Sequence, residues 1–153
     1  MRRTRSAVGG RRSVGAVLGS LALAGALAAC GGGSTPAAAT PSSVPGVGTV
    51  TTAPDGVQQV TIQTQDNYKF APTGFTVAPG RVRLTVVNAA ASYTHSFRFS
   101  QGQGPEPLTA TIPVLAPGER QTIDFTVQKP GSYRFECSFH TQLGQFGTMT
   151  VGG

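Results

Sequence analysis

From Val57 to its end the chain predicts an all-β domain, a Greek-key sandwich or barrel of about seven or eight short strands. Three observations carry this. Apolar and polar residues alternate with period two in short runs. Proline-glycine turns separate several of those runs, and valine, threonine and phenylalanine outweigh the strong helix formers.

Taken in order, Val60 and Ile62 alternate with glutamine and threonine, and Phe75 and Val77 follow. Ala78-Pro79-Gly80 turns the chain into Val82, Leu84 and Val86, which alternate with Arg83 and Thr85 up to Asn88. After a loop over residues 89–94 comes His95, then Phe97 and Phe99 between polar residues. Residues 101–113, with their glycines and prolines, read as a long excursion. Leu115 enters a second Ala-Pro-Gly turn at residues 116–118, and Ile123, Phe125 and Val127 form the next alternating run. Lys129-Pro130-Gly131 then leads into Tyr133, Phe135 and Cys137, whose odd positions face inward. Alternation resumes at Met149 and Val151.

The 153 residues leave room for one domain with appendages. The formal charge of +6 suggests nucleic acid until the charges are located. Arg2, Arg3, Arg5, Arg11 and Arg12 all precede an apolar run, and from Cys30 onward basic and acidic residues nearly balance. No basic patch remains, so nucleic acid is not an expected partner.

That first segment, residues 1–29, has a positive start and an apolar stretch too short and too rich in glycine and alanine for a lasting membrane helix, and reads as an export signal. Leu27-Ala28-Ala29-Cys30 resembles the lipobox of bacterial lipoproteins, which implies a lipid on Cys30 and a cell-membrane location on the extracytoplasmic face. Arg11-Arg12 raises the twin-arginine route, but the residues after it match poorly, and ordinary secretion is the default. Residues 30–56, small, threonine- and proline-rich with Asp55 as their single charge, read as a flexible tether, leaving residues 57–153 as the folded domain.

The chemistry concentrates in Tyr133 to Val151. If Cys30 is acylated, Cys137 is the sole remaining cysteine and forms no internal disulfide; an unpaired thiol in an oxidising setting needs burial or a metal. His140 follows it by three residues, Gln145 follows His140 by five, and His95 is the other histidine of the chain. Thiolate and imidazole together suit copper in a trigonal site with one weak axial ligand. Set against this are an inert core cysteine with a surface or packed histidine, zinc, which lacks an evident carboxylate as fourth ligand, and a Cys-His hydrolase, which needs an accessible thiolate.

Val77-Ala78-Pro79-Gly80, the strand ending at Asn88, His95, the Pro130-Gly-Ser-Tyr133 turn, Cys137-Ser-Phe-His140 and Gly144-Gln145-Phe146-Gly147-Thr148 resemble the cupredoxins, the plastocyanin-like small blue copper proteins. The resemblance covers Val57 to Val151. It implies a cupredoxin-like Greek-key β-sandwich, one type 1 copper bound by His95, Cys137 and His140, and one-electron shuttling without enzymatic turnover. Plastocyanin-like loops usually carry methionine where Gln145 stands; glutamine there resembles the stellacyanin type, so Gln145 is the expected axial ligand, with Met149 as the competitor. Asparagine often follows the first histidine in this family, and Ser96 stands in its place. Phe139, Leu143 and Phe146 form either an apolar collar near His140 or part of the core.

These features together predict a monomeric, membrane-anchored electron carrier serving unidentified redox partner proteins. Copper delivery, buffering or sensing is the alternative, and a metal-free interaction module is the third reading.

Overall fold

The computed structural model describes residues 44–153. The signal segment 1–29, Cys30 and the first part of the expected tether lie outside the described residues. Among the described residues, ten strands form two five-stranded sheets. They are β1 (Thr51–Thr52), β2 (Gln58–Thr64), β3 (Phe70–Ala71), β4 (Gly74–Val77), β5 (Gly80–Asn88), β6 (His95–Phe99), β7 (Thr111–Leu115), β8 (Arg120–Val127), β9 (Gly131–Glu136) and β10 (Phe146–Val151). Two of them, β1 and β3, are two-residue ladders, so the longer strands match the expected number.

One sheet runs β1-β2-β5-β8 with β3 on the far end of β2; the other runs β4-β10-β9-β6-β7. Both are mixed, because β2 pairs parallel with β5 and β4 parallel with β10. The inward phases read from the sequence meet between the sheets. Val60, Ile62, Leu84 and Val86 from the first pack in one cluster with Phe97, Tyr133, Phe135 and Met149 from the second. Full burial of such a side chain contributes roughly 1.5–3 kcal/mol each. Phe135 contacts Phe70 edge-on at 5.2 Å between centroids and lies 5.3 Å from Phe97, which fixes the end of β9 two residues before Cys137.

Two boundaries differ from the sequence reading. Residues 44–56, placed in the tether, lie along β2: the Val44 N–H donates to Gln63 Oε1 at 3.1 Å, Val47 bridges Thr61, and Thr51 pairs with Gln59. Backbone pairing with an open sheet edge needs no hydrophobic pattern, so composition does not reveal it. The folded unit therefore begins upstream of Val57. Likewise β7 starts inside the expected excursion. A register shift opposite His95 and Phe97 puts its buried residues, Ile112 and Leu115, three apart instead of two, which hides the alternation. Pro113 is tolerated because β7 is an edge strand.

Candidate metal centre

Strand order sets the site. Because β6 lies antiparallel to β9, with Phe99 opposite Phe135 and Arg98 opposite Glu136, the start of β6 reaches the end of β9. His95 opens β6 and Cys137 follows β9 directly, so residues 42 apart in sequence become neighbours. Asn88, fully buried at the end of β5, holds the intervening loop. Its amide donates to the Tyr93 and Leu115 carbonyls at 2.8 and 2.9 Å, and its oxygen accepts from the Ala90 N–H and the Thr64 hydroxyl. Sequence reading assigned Asn88 only as a strand end; a buried amide with every partner satisfied is a constraint that tertiary packing alone reveals.

The second loop closes on itself. Cys137 N–H donates to the Gln145 carbonyl at 3.1 Å, Gln145 N–H to the His140 carbonyl at 3.2 Å, and His140 N–H to the Cys137 carbonyl at 3.2 Å. A single 3-10 turn, Thr141–Leu143, fills the gap and ends at Gly144, whose φ of 84° is the left-handed region that glycine enters without strain.

These constraints bring four donor atoms together. Cys137 Sγ lies 3.5 Å from His140 Nδ1 and 4.0 Å from His95 Nδ1. Gln145 Oε1 lies 2.9 Å from His95 Nδ1 and 3.1 Å from His140 Nδ1. The two histidines and the cysteine offer ligand atoms all within 4.8 Å of one another, and no carboxylate joins that cluster among the described residues. Cys137, His95 and Gln145 are fully buried, whereas His140 is partly exposed. Met149 is buried on β10 opposite Tyr133 and Phe75, within the hydrophobic core.

Local electrostatics favour the metal-binding forms. Burial pushes the Cys137 thiol up, but hydrogen bonds from Ser96, from the Phe139 backbone and from His140 outweigh it, and the thiol titrates below its ordinary value. Burial holds His95 below the ordinary histidine value, against the opposing pull of Gln145 and Asp66, and so favours the neutral ring. Its Nε2 is buried without a hydrogen-bond partner, whereas its Nδ1 faces Cys137 Sγ and Gln145 Oε1. A metal taking the Nδ1 lone pair leaves the proton on that Nε2, so the donor set fits a metal ion.

Ser96 replaces the support that an asparagine would provide. Its N–H donates to Cys137 Sγ at 3.3 Å, and its hydroxyl accepts from the Ser138 N–H at 2.8 Å, joining the two metal-site strands. The apolar trio resolves to the surface: Phe139, Leu143 and Phe146 are each about half exposed, with Phe139 6.2 Å from the His140 ring and Phe146 beneath the Arg134 guanidinium.

Residues 27–151 match the family model of the cupredoxin-like domain. The chain is 32% identical over 85 residues to plastocyanin A/B of Petroselinum crispum, covering 54% of this chain and 86% of that protein. It is also 32% identical over 87 residues to the chloroplastic plastocyanin minor isoform of Arabidopsis thaliana, covering 54% of this chain but only 50% of that protein. Among solved structures, dithionite-reduced auracyanin from the photosynthetic bacterium Roseiflexus castenholzii is similar with a TM-score of 0.55 at 26% identity, covering 62% of this chain and 97% of that one. Auracyanin A of Chloroflexus aurantiacus, a "blue" copper protein, is similar in fold with a TM-score of 0.53 at 21% identity, covering 63% and 100%.

Proposed function

The chain belongs to the family of cupredoxin-like domains, and from that premise we propose that it is a mononuclear type 1 copper protein that carries single electrons outside the cytoplasmic membrane, held there by a lipid on Cys30. His95 Nδ1, His140 Nδ1 and Cys137 Sγ would hold the copper, with Gln145 Oε1 as the weaker fourth donor. The observation that carries this reading is the convergence of two imidazole nitrogens, one thiol sulfur and one amide oxygen, with Oε1 within 3.1 Å of both nitrogens. Two imidazole nitrogens, one thiolate sulfur and one weak oxygen donor are the type 1 pattern.

Copper bound there supplies a one-electron couple between Cu(II) and Cu(I). The chain does the rest. The Ser96 N–H steadies the thiolate of Cys137, and the closed backbone hydrogen-bond ring from Cys137 to Gln145 resists rearrangement of the donors between oxidation states. Burial of His95, Cys137 and Gln145 keeps water from these three donors. His140 is the exposed edge, and the apolar surface of Phe139 and Leu143 beside it suits a redox partner protein.

The test is to add one equivalent of Cu(II) to the purified protein and record its visible and electron paramagnetic resonance spectra. Intense thiolate-to-copper absorption with reversible one-electron reduction supports the carrier. Cu(I)-selective binding without colour would point to copper delivery or buffering, and failure to retain copper to a metal-free interaction module.

A further inference from the structure

The segment between β2 and β3 contributes no side-chain donor to the metal centre, yet it touches both loops that do. On one side the Asp66 carboxylate accepts the Ala91 N–H on Oδ2 at 2.8 Å and the Ser92 N–H on Oδ1 at 3.2 Å, pinning the loop that delivers His95. On the other side the Lys69 ammonium donates to the Gly144 carbonyl at 3.1 Å, within the loop that carries His140 and Gln145. Between them the Tyr68 ring lies 4.7 Å from the His140 ring and 4.9 Å from the Tyr93 ring.

The backbone is bent to make this possible. Tyr68 has a φ of 54°, the left-handed region that a bulky residue enters only when its surroundings hold it there. Asn67 Oδ1 accepts the Lys69 N–H at 3.0 Å and closes the turn from within. The bend presents the Tyr68 ring to His140, the partly exposed histidine of the site.

We propose that Gln65 to Lys69 is a clamp that sets the separation of the two metal-binding loops, with Asp66 and Tyr68 as positioning residues. Elsewhere near the site these loops are joined by Ser96, through its bonds to Cys137 and Ser138, and by the donor side chains themselves, His95 Nδ1 against Gln145 Oε1. A carboxylate accepting two backbone N–H groups and a ring packed at a tilt of 43° against a ligand ring restrict both position and orientation. The spectroscopic part of the test rests on the copper reading above; the exchange part does not.

The experiment compares the full chain with Asp66→Ala, Tyr68→Gly and Tyr68→Phe. In the metal-free protein, amide hydrogen exchange at Leu143 and Gln145 is expected to speed up roughly tenfold in Tyr68→Gly and to stay unchanged in Tyr68→Phe, with Leu84 and Val86 in β5 protected throughout. With Cu(II) bound, Asp66→Ala and Tyr68→Gly are expected to shift the visible band and the copper hyperfine splitting, and Tyr68→Phe to match the parent. Unchanged exchange in the His140 loop on loss of the ring would overturn the clamp, as would equal disturbance by glycine and phenylalanine. If the parent protein shows no thiolate band, the copper reading fails while the exchange comparison still decides the clamp. Should Asp66→Ala lose protection in β5, the Tyr68 pair alone decides it.

Discussion

Gln145 Oε1 lies 2.9 Å from Nδ1 of His95, a residue fifty positions earlier in the chain. The same oxygen stands 3.1 Å from His140 Nδ1, while Met149 is packed in the core four residues further along. An amide oxygen is a harder donor than a thioether and favours Cu(II), so Gln145→Met is expected to raise the reduction potential. Met149→Leu, a swap of similar volume costing less than about 1.5 kcal/mol, is expected to leave potential and spectrum alone. Voltammetry of the two variants checks this, and a larger shift from Met149→Leu would reassign the axial ligand.

Ser96 holds two strands together through one hydroxyl. Truncation in Ser96→Ala removes the acceptor of the Ser138 N–H in a part-buried hydrogen bond and is expected to cost about 0.5–1.5 kcal/mol. Urea denaturation of the metal-free protein measures it, and an unchanged midpoint would mean that water replaces the hydroxyl at no cost.

Gly147 has no room for a side chain. A Cβ there would run into the Phe135 ring and the Thr73 carbonyl. Gly147→Ala is expected to destabilise the domain by about 1–3 kcal/mol and, because Phe135 lies two residues before Cys137, to alter the visible spectrum as well. Parent-like stability and spectrum together would show that β4 and β10 can separate without strain.

Acid sensitivity follows from Glu106. The Gln128 and Lys129 N–H groups donate to its carboxylate at 2.6 and 3.2 Å and hold it below the ordinary value of 4.5. A group depressed in the folded state contributes stability that is fully present above its unfolded value and is lost as pH falls through the folded one. Stability of the metal-free protein is therefore expected to fall below about pH 4.5. Glu106→Gln is expected to be less stable at neutral pH and to show a shallower acid decline, the remainder coming from Asp66, Asp124 and Glu136, all likewise depressed. Equal slopes in thermal melts of the two proteins would remove Glu106 from this account.

The proposed lipid anchor rests on the Cys30 thiol. Cys30→Ser is expected to move the protein from the membrane to the soluble fraction of fractionated cells and to abolish incorporation of labelled fatty acid. Retention of the variant in the membrane would require another anchor.

Which residues face inward and which donors are at hand can be read from the order of the residues. Period-two alternation placed Val60, Leu84, Phe97, Phe135 and Met149 on the core side of their strands, because a pleated strand alternates its side chains regardless of what it pairs with. The spacing of Cys137, His140 and Gln145 was likewise local, since one short loop carries all three. Other features were not legible there. The pairing of residues 44–56 with a sheet edge, the bulged register of β7, the Asn88 hub and the packing of Tyr68 on His140 arise from contacts between residues distant in sequence. That His95 meets the other donors follows from the sheet: β6 lies antiparallel to β9, and Asn88 anchors the loop before it. Side-chain direction is a property of each strand, whereas the distance between two strands' ends is a property of the sheet that joins them.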